Sequence, residues 1–255
     1  MKILKSIAVA FSIYSKIPMP RFDWGTEDMK YQLLFFPWVG AVIGGLEWGL
    51  WLLKSRLELG SIFYIMLAAA LPIIITGGFH IDGYMDTCDA MHSYQPKERK
   101  LEILKDPHIG AFAVICLLGY TLIGLGFLSQ IASGAAIAMI CCSFFATRTL
   151  SGISILTMRP AKDKGMLNTF SATAQGRVVL VGLIIQLALC VMGMLFINLA
   201  LAIVSASAIG LSYLYYFLMS RRQFGGITGD LAGFFVSVAE LVVVVAMGAA
   251  SIACR

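Results

Sequence analysis

Seven apolar stretches of about twenty residues constrain this chain more than any other feature. They cover residues 31–53, 61–79, 109–131, 135–157, 178–197, 199–219 and 231–253. A helix of that length is long enough to cross the hydrocarbon core of a bilayer. Only 13% of the 255 residues are charged, about half the fraction of a soluble domain. We therefore predict an all-α, polytopic membrane helical bundle with about seven transmembrane helices.

The chain shows no repeat, low-complexity tract or linker that would divide it, so we predict one membrane-embedded domain over residues 1–255. Within it, residues 1–30 form an N-terminal interfacial segment, residues 77–110 an acidic motif and residues 220–230 a second motif loop. The six cysteines show no C-x-x-C spacing, which disfavours a zinc site or a disulfide framework. The net charge of +5 does not indicate nucleic-acid binding, because the basic residues collect on one side of the bilayer.

The distribution of basic residues predicts the orientation of the bundle. If the N-terminus is cytoplasmic and the spans alternate, fifteen of the nineteen basic residues face the cytoplasm. These are Lys2, Lys5, Lys16, Arg21, Lys30, Lys97, Arg99, Lys100, Lys105, Arg159, Lys162, Lys164, Arg177, Arg221 and Arg222. Three lie on the other side (Lys54, Arg56 and Arg255), and Arg148 lies within a span. The positive-inside rule then places every sizeable polar loop on the cytoplasmic face of the cell inner membrane.

Three aspartates in the acidic motif follow the spacing i, i+4, i+7. On a helix, Asp82, Asp86 and Asp89 fall within about 60° of one another. Unpaired carboxylates on one face repel one another, and a divalent cation removes that repulsion. Oxygen ligands suit Mg²⁺, so we predict a Mg²⁺ site at these aspartates on a helix at the cytoplasmic face. A solvated helix face with no ligand is the alternative.

The residues around this stripe have two interpretations each. Gly77, Gly78 and Gly83 permit close approach of backbone to a phosphate, or mark a flexible break between helices. His80 is a candidate acid–base residue, or a hydrogen-bonded polar residue without a catalytic role.

The second motif, RRQFGGITGD, directly precedes the last span. A glycine-rich loop that opens a helix exposes backbone N–H groups to an anion, and Arg221, Arg222 and Gly229 would bind phosphate there. Asp230 is either the N-cap of the last helix or a further Mg²⁺ ligand.

Three more charged residues are candidates. Arg148 and Glu240 lie within spans, where charge is costly unless it is paired or lines a polar cavity. Arg159 opens a basic loop that either fixes topology or binds an anionic substrate.

The segment GGFHIDGYMDTCDAMHSYQPKERKLEILKDPHIGAFAV resembles the signature of the cobalamin synthase family, the adenosylcobinamide-GDP ribazoletransferases. The matching positions are Gly77, Gly78, His80, Asp82, Gly83, Asp86, Asp89, Glu102, Lys105, Asp106, Ile109, Gly110 and Phe112. GGITGD at 225–230 is similar to the second motif of the family, and Glu240 falls where members commonly carry an acid. Ala90 and Ala113 replace glycines that are usual in the family.

The resemblance implies a Mg²⁺-dependent enzyme of late cobalamin biosynthesis. α-Ribazole, or its 5′-phosphate, attacks the diphosphate of adenosylcobinamide-GDP and releases GMP, giving adenosylcobalamin or its 5′-phosphate. Lys105 and Asp106 join the expected substrate-binding residues, and either Asp89 or His80 deprotonates the attacking hydroxyl. The lipid bilayer is an expected partner, and a homo-oligomer or an association with other enzymes of the pathway is also considered.

Two other function classes fit parts of the pattern. CDP-alcohol phosphotransferases and polyprenyl transferases also place aspartates on helices at the membrane face, but the former require an Ala-Arg pair after D-x-x-D-G. This chain has Ala90, Met91 and His92 there. A transporter would use Arg148 and Glu240 as coupling charges, and predicts inverted repeats that the sequence does not show.

Overall fold

The computed structural model describes residues 2–20, 23–25, 28–161 and 176–254. Ten α-helices form this part of the chain. They are α1 (Lys2–Tyr14), α2 (Gln32–Arg56), α3 (Ser61–Thr76), α4 (Phe79–His92), α5 (Lys97–Ile103), α6 (Ala111–Leu128), α7 (Gly134–Thr157), α8 (Gly176–Ile197), α9 (Leu199–Met219) and α10 (Gly229–Ala253). A π-helical turn, Ser220–Phe224, follows α9. Arg21, Lys162, Lys164 and Arg255, which contribute to the charge argument above, lie outside the described residues.

Six of the described helices are long and apolar enough to cross a membrane, namely α2, α6, α7, α8, α9 and α10. The prediction of a helical, multi-pass membrane bundle is therefore confirmed. The seventh predicted span, residues 61–79, is shorter than expected. Helix α3 ends at Thr76, and α4 leaves it at an angle of 94°.

Two glycines cause this bend. Gly77 and Gly78 both adopt left-handed backbone conformations, with φ of +70° and +83°. Side chains on L residues disfavour that region, so glycine ends the helix here without strain. The prediction that the span continues to residue 79 is wrong because apolar character alone does not reveal where the backbone turns.

Helix α3 nevertheless returns to the end of the bundle where α2 begins. The rings of Trp51, near the end of α2, and Tyr64, near the start of α3, are 5.9 Å apart. At the other end, the backbone N–H of Lys16, which precedes α2, donates to the carbonyl oxygen of Ile75 at 2.8 Å. The two helices are therefore antiparallel, and α3 counts toward a seventh candidate span only together with α4, as a bent pair. Helix α4 then lies across the end of the bundle.

Close helix packing holds the spans together. A Cβ on Gly40 or Gly44 of α2 would collide with the backbone of α7 at Phe144 or Cys141. Small residues that allow such backbone approach are a principal means of association inside membranes. Helix α10 is central and contacts α4, α6, α7 and α9.

A second apolar cluster holds α4, α5, the π-helical turn and the start of α10 together at one end of the bundle. Its buried members include Leu101, Leu104, Phe224, Ile227 and Leu231. We call this end of the bundle, together with segment 159–161 that follows α7, the motif face. Both sequence motifs lie there.

Candidate active site

The two sequence motifs meet where α4 crosses the start of α10. A Cβ built on Gly83 would lie only 2.6 Å from the backbone oxygen of Asp230. One turn further along α10, a Cβ on Gly233 would lie 3.3 Å from the Cα of His80. This backbone-to-backbone contact therefore requires glycine at position 83, and a side chain at position 233 would be tightly packed. The contact brings Asp230 to the acidic helix although 147 positions separate it from Gly83 in the sequence.

The carboxylates at this crossing are not neutralised by ion pairs. Burial raises the pKa of Asp86 to about 7, and the neighbouring charges of Asp82, Asp230 and Asp89 add to that rise. Among the described residues, no lysine or arginine forms an ion pair with Asp82, Asp86 or Asp230. Lys105 affects Asp230 only at longer range, where its positive charge lowers the pKa of that carboxyl group. The crossing is thus a concentration of negative charge that favours a cation.

Asp89 has a different environment from the other two aspartates of the stripe. Its Oδ2 accepts a hydrogen bond from the backbone N–H of Gly110 at 2.7 Å, and its Oδ1 accepts one from Ala113 at 2.9 Å. Both donors belong to the start of α6, where backbone N–H groups lack partners within the helix. Asp89 therefore caps α6, and this explains its position without a metal.

No three His, Cys, Asp or Glu side chains in the described part of the chain are already arranged around one metal position. The Mg²⁺ site expected at Asp82, Asp86, Asp89 and Asp230 stays a prediction. The geometry favours Asp82, Asp86 and Asp230 as the carboxylate ligands, because both carboxylate oxygens of Asp89 already accept hydrogen bonds from the start of α6.

Asp230 is not the N-cap of the last helix, and that interpretation is wrong. Thr228 takes this place, since its hydroxyl oxygen accepts a hydrogen bond from the backbone N–H of Leu231 at 3.2 Å. Asp230 lies in the first turn, where its negative charge interacts favourably with the helix dipole. Its only hydrogen bond from another side chain in the described structure is a long one from Thr228, at 3.4 Å.

The arginines of the second motif lie on the π-helical turn that ends α9. Such turns are rare and frequently occur at functional sites. Arg221 is exposed and stacks over the Phe217 ring, 5.1 Å from its centroid, and Arg222 is exposed beside it. Gly225 ends the turn with φ of +78°. Both guanidinium groups are therefore accessible from outside the bundle.

The loop after α7 is joined to this motif by backbone hydrogen bonds. Ile227 donates to Arg159 and Ala161 donates to Ile227, both at 2.9 Å. Gly226 permits the contact, because a Cβ there would collide with the 159–161 backbone. The exposed side chain of Arg159 thus lies on the same face as Arg221 and Arg222.

Three other expected substrate-binding residues lie near this face. Lys105 is exposed after α5, and Asp106 is exposed beside it. Hydrogen bonds from the backbone and ring of His108 hold the pKa of Asp106 below its usual range. Gly229 is exposed, and a Cβ there would contact nothing, so packing does not explain the glycine.

Sequence reasoning missed Lys100. This lysine is buried and donates a hydrogen bond to Oε1 of Gln223 at 2.7 Å, which ties α5 to the π-helical turn. A signal was available, because Lys100 precedes Leu104 by one helical turn and so shares its buried face.

Two predicted site residues lie away from the motif face. Arg148 is fully buried in α7 and its Nη1 donates to Oε1 of Glu240 at 2.6 Å. The structure therefore shows the paired alternative for Arg148 and not the predicted contact with substrate. His80 stacks on Phe36, with centroids 5.8 Å apart, and points into the bundle. Because residues two apart on a helix are about 200° apart, His80 faces away from Asp82.

Comparison with known proteins decides the family. The family model for cobalamin-5-phosphate synthase matches residues 6–248. The chain belongs to the cobalamin-5-phosphate synthase family. An adenosylcobinamide-GDP ribazoletransferase of Lachnoclostridium phytofermentans is 42% identical over 241 residues, covering 94% of this chain and 92% of the relative. A protein of the same name from Clostridium perfringens is 30% identical, covering 96% of this chain and 97% of the relative. No solved structure matches the chain.

Proposed function

We propose that this member of the cobalamin-5-phosphate synthase family joins adenosylcobinamide-GDP to α-ribazole or α-ribazole 5′-phosphate, with release of GMP. The name shared by its relatives supports this reaction. The observation that carries the proposal is the contact of Gly83 with Asp230, which joins the two motifs into one site. A diphosphate substrate needs both a cation and anion-binding groups, and this site supplies carboxylates next to exposed arginines.

The site fits Mg²⁺ by its donor set. Asp82, Asp86 and Asp230 offer carboxylate oxygens without ion-pair partners, and hard oxygen ligands are those that Mg²⁺ prefers. We propose that these three residues hold the metal. When bound, Mg²⁺ would polarise the diphosphate and offset the negative charge of the departing GMP.

The side chains of the motif face account for the remaining steps. Arg221, Arg222 and Arg159 bind diphosphate oxygens and hold the substrate in line for attack. A ribose hydroxyl of the ribazole attacks the phosphorus atom attached to cobinamide, a new P–O bond forms, and the P–O bond to GMP breaks. A nearby carboxylate takes the hydroxyl proton.

We further propose that the motif face lies on the cytoplasmic side of the cell inner membrane. The excess of basic residues on that side of the predicted topology supports this placement. Nucleotide substrates would then reach the site from the cytoplasm. A homo-oligomer, or contact with other enzymes of the same pathway, would bury surface outside the motif face.

The test is GMP release by the purified protein in nanodiscs with Mg²⁺, adenosylcobinamide-GDP and α-ribazole 5′-phosphate. We expect GMP and cobalamin 5′-phosphate in equal amounts, and a loss of about 10²-fold or more in Asp82→Asn. The matched control is Glu98→Gln, which removes an exposed carboxylate of α5 that lies outside the candidate site. Absence of GMP above a protein-free control would refute the proposed reaction.

A further inference from the structure

A cavity of about 330 Å³ lies inside the bundle beneath α4. Helices α2, α3, α4, α6, α7 and α10 contribute to its wall. Its volume falls in the range of small-molecule sites. His80 and Ile81 of α4 line it, whereas Asp82, Asp86 and Asp230 do not. The cavity is therefore separate from the candidate active site.

The inner wall of the cavity carries buried polar atoms that have no hydrogen-bond partner among the described residues. They are both ring nitrogens of His80, Oε1 of Glu47, Nε of Arg148 and Oγ of Ser237. The four residues are at most 6% exposed. Burying a polar group without a hydrogen-bond partner is unfavourable. Their convergence on one cavity indicates a polar partner at this wall.

The opposite side of the cavity is apolar and opens between α3 and α6. Met66 and Ile73 of α3 line it and are 52% and 45% exposed. Leu125 and Leu128 of α6 line the same side. Both helices are apolar spans, so this opening faces the lipid chains. A ligand that enters here comes from the membrane.

The charges on the wall favour an uncharged head group. Arg148 is already paired with Glu240, so its positive charge is not available to an anion. The unpartnered atoms of the wall include both donors and acceptors, so an ammonium head, which only donates, or a carboxylate head, which only accepts, would leave some of them without a partner. A hydroxyl group can both donate to His80 or Glu47 and accept from Arg148 or Ser237.

We propose that this cavity is a second ligand site, which takes an uncharged amphiphile from the membrane. Its hydroxyl-bearing head group bonds Glu47, His80, Arg148 and Ser237, and its acyl chain leaves between α3 and α6. This site is independent of the transferase reaction. A bound ligand would contact His80 and Ile81 and would so stabilise α4, the helix that carries the acidic motif.

The test uses a photoreactive monoacylglycerol with the purified protein in phosphatidylcholine nanodiscs, and mass spectrometry to map the labelled residues. We expect saturable labelling of α3 and α6 residues at the cavity mouth. An excess of 1-oleoylglycerol should abolish it, whereas oleate and oleylamine should not. Equal competition by either charged amphiphile would overturn the uncharged head group.

Cavity-filling variants provide the second arm. Ala69→Trp on α3 and Gly124→Leu on α6 both place bulk in the cavity and should each reduce saturable labelling at least tenfold. Leu122→Trp is the matched control, because Leu122 is 61% exposed on the outer face of α6 and should label as the wild type does. Two filling variants from different walls guard against a folding defect in one.

Two results would overturn the proposal. Labelling that does not saturate, or that spreads over the lipid-facing sides of α6 and α8, would indicate general lipid contact. Unchanged labelling in both filling variants would show that the probe binds outside the cavity.

Discussion

At the scale of single residues, the aspartates of the motif face differ in their hydrogen-bond partners. Asp89 accepts hydrogen bonds from two backbone N–H groups at the start of α6, and its negative charge stabilises that end of the helix. Asp82 and Asp86 have no such partners in the described structure, and the one side chain there that donates to Asp230 is Thr228. These surroundings predict different consequences for the same substitution at each position.

Asp89 gives the first contrast. Asp89→Ala removes two charge-assisted hydrogen bonds and should destabilise the protein by about 1–3 kcal/mol. Asp89→Asn keeps one acceptor oxygen and should lose less. Melting temperature and GMP release should fall together in the alanine variant. A loss of turnover at full stability in Asp89→Asn would restore this residue to the metal site.

Asp230 should behave in the opposite way. Because Thr228 caps the helix, Asp230→Asn should leave the melting temperature nearly unchanged while GMP release falls by about 10²-fold. Thr228→Ala should instead lower stability by about 1 kcal/mol, with turnover retained at low temperature. If Asp230→Asn retained full turnover, Asp230 would have no role in the chemistry.

For single residues, the sequence predicted which acids lie close together but not what each of them contacts. The i, i+4, i+7 spacing places Asp89 on the stripe, yet its partners lie 21 and 24 residues further along the chain. Spacing within one helix does not reveal such contacts. The same limit applies to Arg148 and Glu240, whose pairing depends on how α7 and α10 pack.

At the scale of elements, the crossing of α4 and α10 determines whether the two motifs form one site. The backbone of Gly83 touches that of Asp230, and the neighbouring contact of Gly233 with His80 fixes the angle of approach. The bend at Gly77 and Gly78 sends α4 across the bundle end toward α10. The sequence offered a break here only as one of two interpretations of the glycines, and it could not supply the angle, because 94° depends on the packing of α4.

Gly83→Ala tests this crossing directly. The added Cβ meets backbone, which cannot move aside as a flexible side chain can, so α4 must shift relative to α10. A shift of about 1 Å in reacting groups reduces turnover by as much as 10²-fold, and we expect a loss of at least tenfold. Gly119→Ala on α6 is the control, since a Cβ there meets nothing within 4 Å. Equal turnover in the two variants would show that this contact does not align the site.

At the scale of the whole molecule, the structure gathers the motifs, the arginines and the start of α2 at one end of the bundle. Length and hydropathy predicted the membrane class and most spans within a few residues, because crossing a bilayer imposes a minimum length. They missed the early end of α3, where two glycines and not polarity stop the helix. The sequence also did not predict the polar wall of the internal cavity, since its residues Glu47, His80, Arg148 and Ser237 come from four helices that are distant in the sequence.

The predicted orientation can be tested by cysteine labelling. Gln95 is exposed between α4 and α5, so Gln95→Cys in a background without native cysteines should react with an impermeant thiol reagent only after the membrane is opened. Ser55→Cys, on the opposite end of the bundle, is the control and should react from outside. Reaction of Gln95→Cys with the impermeant reagent in intact cells would show that the motif face does not lie on the cytoplasmic side.

Carboxylates from two distant motifs are proposed to bind one metal ion. Mn²⁺ binding to the purified protein, followed by electron paramagnetic resonance, tests this proposal without substrates. We predict saturable binding that Mg²⁺ displaces, and that weakens at least tenfold in each of Asp82→Asn, Asp86→Asn and Asp230→Asn, while Glu98→Gln binds as the wild type does. Wild-type affinity in Asp230→Asn would refute a metal site shared by the two motifs, because the second motif would then contribute no metal ligand.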